Sequence, residues 1–215
     1  MTVDSLSKVD GPVSAARQVL GSVLRLPGVA LRVVEVEAYG GEADGPWPDP
    51  ASHSYRGRTP RNAVMFGRAG CLYVYRSYGM HFCMNVSYGP IGHSGGILLR
   101  AGEVIEGESI VRERRARTVP SHQLARGPGN FGSAAGVDLA DNGVDLFDQS
   151  SSIRLELAER ESGESDGIGR RWESGPRVGV SRAADRPWRL WIAGSESVSA
   201  YRRSPRATST SIGMG

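Results

Sequence analysis

The sequence predicts an α+β fold, a single mixed domain in which antiparallel β-structure is surrounded by helices. Three observations carry that expectation. Short β-branched and aromatic runs outnumber the stretches with helical spacing and are interspersed with them. Glycine sits in the turns between neighbouring runs, as hairpins require. No internal repeat and no second apolar core is visible, and 39% hydrophobic content over 215 residues suffices to bury one proper core. Residues 1–10 are polar and read as a loose N-terminus, residues 11–201 as the domain, and residues 202–215 as a flexible tail by composition.

Taken in order, residues 12–20 place Val13, Ala16, Val19 and Leu20 at helical spacing. Residues 22–26 and 29–39 read as strands about the tight turn Pro27-Gly28. Leu26-Pro27-Gly28-Val29 matches the loop of helix-hairpin-helix DNA binders only superficially, because Ala30-Leu31-Arg32-Val33-Val34 reads as strand. Residues 40–60 are rich in Gly, Pro, Asp and Ser. A loop of about 20 residues is unusual in a compact domain and is often functional. Thr59 is the expected N-cap of a short helix with Pro60 at its first position. Residues 71–76 and 81–87 predict a hairpin whose centre is Ser77-Tyr78-Gly79-Met80. A strand over 96–103, a charged helix over 106–117 and a helical turn from Gly127-Pro128 through Ala135 follow. Residues 153–157 alternate as a short strand, 159–173 read as loop, and 177–180 and 188–192 as closing strands.

Composition narrows the function. The net charge is only +3, but Lys8 is the sole lysine and every other basic residue is arginine, the better fork for phosphates. The sequence pI near 9.1 favours an acidic partner such as nucleic acid. Cys71 and Cys83 fall in adjacent predicted strands and read as reduced thiols, which suits a cytosolic protein. The N-terminus lacks a basic-then-apolar signal pattern, and no apolar run approaches the roughly 20 residues that span a bilayer. His and Cys spacings suggest no metal site, and neither a P-loop nor a dinucleotide fingerprint is present.

Glu35, Glu37 and Tyr39 alternate along one strand and share a face, opposite Val34, Val36 and Ala38. Two carboxylates in so apolar a strand are either an exposed, salt-bridged face or a general base at the floor of a cleft. Arg100 is the only charge in Ile97-Leu98-Leu99-Arg100-Ala101 and wants a carboxylate partner, with Glu37 or Glu35 the natural candidates. His53 lies in the long loop. Tyr73 and Tyr75 share a strand face, where they serve as core or as a platform for nucleobases. Asn85 is a polar break in an apolar strand, either a satisfied buried amide or a reader of a ligand edge. Tyr78, at the hairpin tip, cannot be buried by its own hairpin; it packs on a neighbour or meets something from outside.

Together, Val34-Glu35-Val36-Glu37-Ala38-Tyr39, Ala51-Ser52-His53-Ser54, Thr59-Pro60-Arg61-Asn62 with Met65-Phe66, the string LYVYxxYGMxFCMN ending at Asn85, and Leu98-Leu99-Arg100-Ala101 resemble the alkyladenine (3-methyladenine) DNA glycosylase family. Order and spacing match over residues 13–135, with an echo at Gly175-Pro176-Arg177-Val178-Gly179-Val180. The resemblance implies a monofunctional, cofactor-free and metal-free hydrolase of base excision repair. It would flip and excise alkylated or deaminated purines (3-methyladenine, 7-methylguanine, hypoxanthine, ethenoadenine) from double-stranded DNA, acting as a monomer in the cytoplasm, at the nucleoid in a bacterium. It also implies a fold like the formyltransferase C-terminal domain, not the helix-hairpin-helix type. By position, Glu37 resembles the general base and Arg100 the residue that helps hold the attacking water. Tyr39, His53, Tyr73, Tyr75, Asn85 and Leu98 resemble the base pocket, Asn85 crowding the exocyclic amino group of guanine. Tyr78 resembles the side chain that inserts into the duplex.

The physics is consistent with that transfer: flipping costs a few kcal/mol, an intercalated wedge offsets it, and tyrosine faces attract electron-poor purines. Lys8, far from the motifs, argues against Schiff-base chemistry and strand cleavage. Two departures stand out. Gly129-Asn130 replaces the basic residue common after the family's Gly-Pro turn, so a phosphate contact is lost or moves to Arg126. Trp47 and three prolines in the loop alter the expected pocket rim. The rival readings are a damaged-DNA-binding protein that does not excise, which would not need both Glu37 and Arg100, and a metal-dependent nuclease built on Glu35 and Glu37, which lacks further ligands nearby.

Overall fold

The computed structural model describes residues 3–77, 79–115, 117–158 and 171–207. Along the chain it holds α1 (Val3–Ser7), α2 (Pro12–Val19), β1 (Val23–Leu26), β2 (Val29–Tyr39), β3 (Leu72–Ser77), β4 (His81–Ser87), β5 (Gly96–Glu106) and α3 (Glu108–Arg115). Then come β6 (Ala125–Arg126), α4 (Pro128–Ala135), β7 (Arg154–Glu156), β8 (Trp172–Gly175) and β9 (Arg189–Ile192).

β2 is the spine. One edge pairs along its length with β5. The other edge is shared: its first half takes β1 and the stretch from Glu35 to Glu37 takes β9. Every pairing is antiparallel, and the sheet runs β3-β4-β5-β2-β1-β7 with β6 on β5 and β8 on β9. Two of the three register shifts in the β2–β5 ladder fall on either side of Glu35. A bulge there bends the strand and raises its local twist, curling the sheet around what lies beside it. Gly28, at φ 71°, turns β1 into β2, a left-handed conformation that an L side chain adopts only with strain.

Helices cover the sheet where the apolar faces demand it. Ala15, Ala16 and Val19 of α2 are fully buried in the same core as Val33, Val34 and Val36. α4 buries Phe131 and Ala134. It runs so close to β4 that a Cβ on Gly132 would collide with the Phe82 carbonyl. That approach brings Pro128, at the helix start, to the cavity described below. Among the described residues, no helix is long and apolar enough to cross a membrane.

Several local expectations need correction. The segment read as loose at the N-terminus carries α1, whose Leu6 is fully buried. Thr59 caps no helix. It forms a turn with Asn62, whose side chain accepts from the Thr59 amide at 2.7 Å, and a 3₁₀ turn follows at Ala63–Phe66. Residues 177–180 are not a strand; the strand lies earlier, at β8, and here the Arg177 guanidinium donates to Asp49 and the Val178 amide to the Glu37 carboxylate instead of to a neighbouring strand. Residues 202–207 touch the body through the Arg202 carbonyl on the Gly179 amide at 3.0 Å and Arg203 on Asp185 at 2.6 Å. The remainder of the expected tail and residues 159–170 lie outside the described residues.

Candidate active site

The curl of β2 and β5 brings Glu35, Glu37 and Arg100 together. Both carboxylates are fully buried, and Arg100 is 5% exposed. Burying such groups is costly unless they pair. Arg100 bridges them, its Nε 3.0 Å from Glu35 Oε1 and its Nη1 3.2 Å from Glu37 Oε2. Neither expectation for Arg100 excludes the other: it holds both candidates. Burial works to lower the Arg100 pKa, but Glu37 and Glu35 outweigh it and hold it above its ordinary value.

The two carboxylates then diverge. Glu35 also accepts from Arg189 Nε at 2.6 Å and from the Ser199 hydroxyl and amide, both at 2.8 Å. Glu37 instead accepts from the Tyr39 hydroxyl at 2.8 Å and the Val178 amide at 2.6 Å. Tyr39, Val178 and Arg100 all line a cavity of about 690 Å³, so Glu37 lies directly beneath its floor.

The walls are aromatic. Tyr73 and Tyr75, two apart on β3, stack at 5.6 Å between centroids, and the His53 ring stands edge-on to Tyr75 at 4.6 Å. His53 Nδ1 and the Tyr73 hydroxyl are 3.4 Å apart. Burial, with Arg61 adding to it, lowers the His53 pKa and favours the neutral ring. Burial likewise pushes the Tyr39 and Tyr75 hydroxyls up, so both stay protonated donors. Asn85 and Leu98 complete the lining opposite one another on β4 and β5. The Asn85 amide donates to the Tyr73 carbonyl at 3.3 Å, satisfying part of its capacity.

The long loop that carries His53 is pinned. Asp49 forks the guanidinium of Arg177 at 2.6 and 3.0 Å. Asn62 Nδ2 donates to the His53 carbonyl at 3.2 Å, and Glu42 meets His93 at 2.8 Å. Trp47 turns away from the cavity onto Tyr88, while Pro50 reaches the rim. Arg126 donates to the Val198 carbonyl at 2.8 Å, and Asn130 turns back onto the Arg126 carbonyl at 2.7 Å.

Seven of the site residues expected from sequence therefore border one cavity, Glu37 sits under it, and Tyr78 lies outside the described residues. Arg61, Arg182 and Cys83 also line the cavity, none of them marked by the sequence as a site residue. Arg61 falls within Thr59-Pro60-Arg61-Asn62, but nothing in the spacing of Arg182 marks it. Burial raises the Cys83 pKa. Among the described residues, no group of His, Cys, Asp and Glu could hold a metal ion.

A profile of methylpurine-DNA glycosylase (MPG) matches residues 8–196. The chain belongs to the methylpurine-DNA glycosylase family. Relatives agree. A Rhodococcus jostii (strain RHA1) protein named "Putative 3-methyladenine DNA glycosylase" is 65% identical over the whole chain and 92% of its own length. Proteins of the same name from Nocardia farcinica and Mycobacterium tuberculosis H37Rv are 61% and 56% identical over 91% of the chain, covering 90% and 92% of theirs. As a methylpurine-DNA glycosylase family member the chain is a DNA glycosylase, a hydrolase of N-glycosyl bonds with DNA as its substrate.

Proposed function

We propose that this glycosylase is monofunctional, flips alkylated and deaminated purines out of duplex DNA, and hydrolyses their N-glycosidic bond as a monomer without cutting the strand. The observation that carries the reading is the Glu37–Arg100 pair beneath an aromatic cavity of about 690 Å³, a volume within the range of small-molecule sites. The faces of Tyr39 and Tyr75 take the flipped purine, with His53, Tyr73, Asn85 and Leu98 setting its edges. Asn85 crowds the exocyclic amino group of guanine.

Hydrolysis forms a bond between the water oxygen and the sugar C1′ and breaks the bond from C1′ to the purine. The bonding pair leaves with the base, and the water proton passes to the Glu37 carboxylate. A base alkylated on a ring nitrogen to a cation is neutralised by the departing pair, whereas a neutral purine such as hypoxanthine must also take up a proton, supplied by solvent, as it leaves. Glu37 is fully covered, and its partners Arg100, Tyr39 and Val178 line the cavity, so one of these contacts must part for the water to reach it. Its Oε1 accepts only the Val178 amide among the bonds above and keeps a second lone pair for the water. Such a positioned base contributes about 10²–10⁴-fold.

Tyr78, at the end of the β3–β4 hairpin, is proposed to fill the gap left in the stack. Met80, two residues further on in the sequence, is exposed. Strand cleavage would need an amine in the cavity, and Lys8 lies at the end of α1 among none of its lining residues.

The test is incubation with duplexes carrying a single ethenoadenine, hypoxanthine or 3-methyladenine in the presence of EDTA. Release of the free base with an intact strand is the expected result. Tight binding without release would identify a lesion-binding protein instead, and a nick abolished by EDTA a metal nuclease.

A further inference from the structure

Arg177 is 1% exposed, and its guanidinium lies over two rings. Its Cζ is 4.6 Å from the Tyr39 centroid and 5.2 Å from that of Trp188. Arg186, nearer the surface, stacks on Trp188 at 4.6 Å. Arg186, Trp188, Arg177 and Tyr39 are thus joined by successive cation–π contacts, and Tyr39 borders the cavity, whose lining does not include Arg177. Asp49 neutralises Arg177 from the side, and the Ala38 carbonyl accepts from the same guanidinium at 3.1 Å. The Arg177 Nε is left without a hydrogen-bond partner. Pairing with Asp49 alone does not require contact with two rings.

We infer that Arg177 is a specificity-determining residue: its charge behind Tyr39 weakens the attraction of that wall for cationic bases and so narrows the gap between cationic and neutral lesions. The inference rests on the proposed function. An aromatic face attracts cations because its π cloud is electron-rich. A cation already held on one face draws that density away and repels a second cation on the other. A base stacked at ordinary contact distance on the cavity side would lie roughly 8 Å from the guanidinium. Water is excluded from the space between, so the repulsion is weakly screened. A neutral purine gains the same stacking contact without feeling this repulsion. Asp49 tempers the effect, so the two residues set it together.

The experiment compares single-turnover excision of 3-methyladenine, as the cationic lesion, with hypoxanthine, as the neutral one, in matched duplexes. In Arg177→Met/Asp49→Asn the ratio of cationic to neutral rates rises about two- to fivefold, the range of an exposed cation–π contact. In Asp49→Asn, where the Arg177 charge loses its counter-ion, the ratio moves the opposite way. Arg177→Lys retains a charge beside Asp49 and stays near the wild-type ratio. A purely structural role lowers both rates together and leaves every ratio unchanged, which overturns the inference, as does a shift in Arg177→Lys equal to that of the double variant. If either the double variant or Asp49→Asn fails to fold, the direction in the other decides. Wild-type protein that releases neither base defeats the proposed function itself; wild-type release of both, with unmoved ratios, defeats only the inference.

Discussion

Glu35 and Glu37 stand two residues apart on one face of β2, both fully buried and both held by Arg100. Their remaining partners separate them. Glu35 ties Arg189 on β9 and Ser199 beyond it to the spine, and neither residue borders the cavity. Glu37 holds Tyr39 and the Val178 amide, both at the cavity surface. Identical side chains in matched burial thus face different work. One closes the sheet, and the other underlies the site. The two carboxylates are distinguished by their neighbours, not by their burial.

The largest effect that tests this contrast is expected at Glu37. Glu37→Gln leaves Arg100 paired with Glu35, so the fold persists while base excision drops about 10²–10⁴-fold and lesion binding is retained. Single-turnover kinetics with a parallel gel-shift titration separates the two. Next is Glu35→Gln, which leaves Arg189 and Arg100 short of a buried counter-charge. A loss of about 3–5 kcal/mol in urea denaturation is expected, the cost of removing one partner of a buried pair. Tyr39→Phe, which deletes only the hydroxyl donating to Glu37, should cost about 1 kcal/mol by the same measurement.

The smallest effect is a pH dependence at the cavity wall. The folded state lowers the His53 pKa, through burial first and then Arg61. The folded form therefore binds that proton less well than the unfolded chain. The His53 contribution is fully present above its ordinary value of 6.5 and is lost as pH falls through the depressed folded value. His53→Gln should flatten this part of the profile, read as the difference in Tm between variant and wild type across pH 5 to 8, the window in which histidines titrate.

Much of this contrast was legible in the sequence. The period-2 pattern of Glu35, Glu37 and Tyr39 placed them on one face, and the lone charge of Arg100 called for a carboxylate. The hairpin of β3 and β4 followed from residue type and a glycine tip. What was hidden depends on long-range geometry. No local pattern says that Arg189 and Ser199, more than 150 residues downstream, close on Glu35. The same holds for Arg177: it looked like part of a strand because Arg177-Val178-Gly179-Val180 has β propensity, and tertiary side-chain bonds override that propensity. The long loop read from composition as irregular, and its fastening by Asp49 to Arg177 and by Asn62 to the His53 carbonyl depends on partners that only the folded chain brings near.

The division of labour between the two carboxylates is tested most directly by measuring Glu35→Gln and Glu37→Gln side by side, each for urea stability and for single-turnover excision of hypoxanthine at a temperature where both are folded. The account predicts a crossed result: Glu35→Gln loses more stability and keeps the greater excision rate, while Glu37→Gln keeps more stability and loses excision. Full excision by Glu37→Gln, or equal loss of excision in both folded variants, would contradict it.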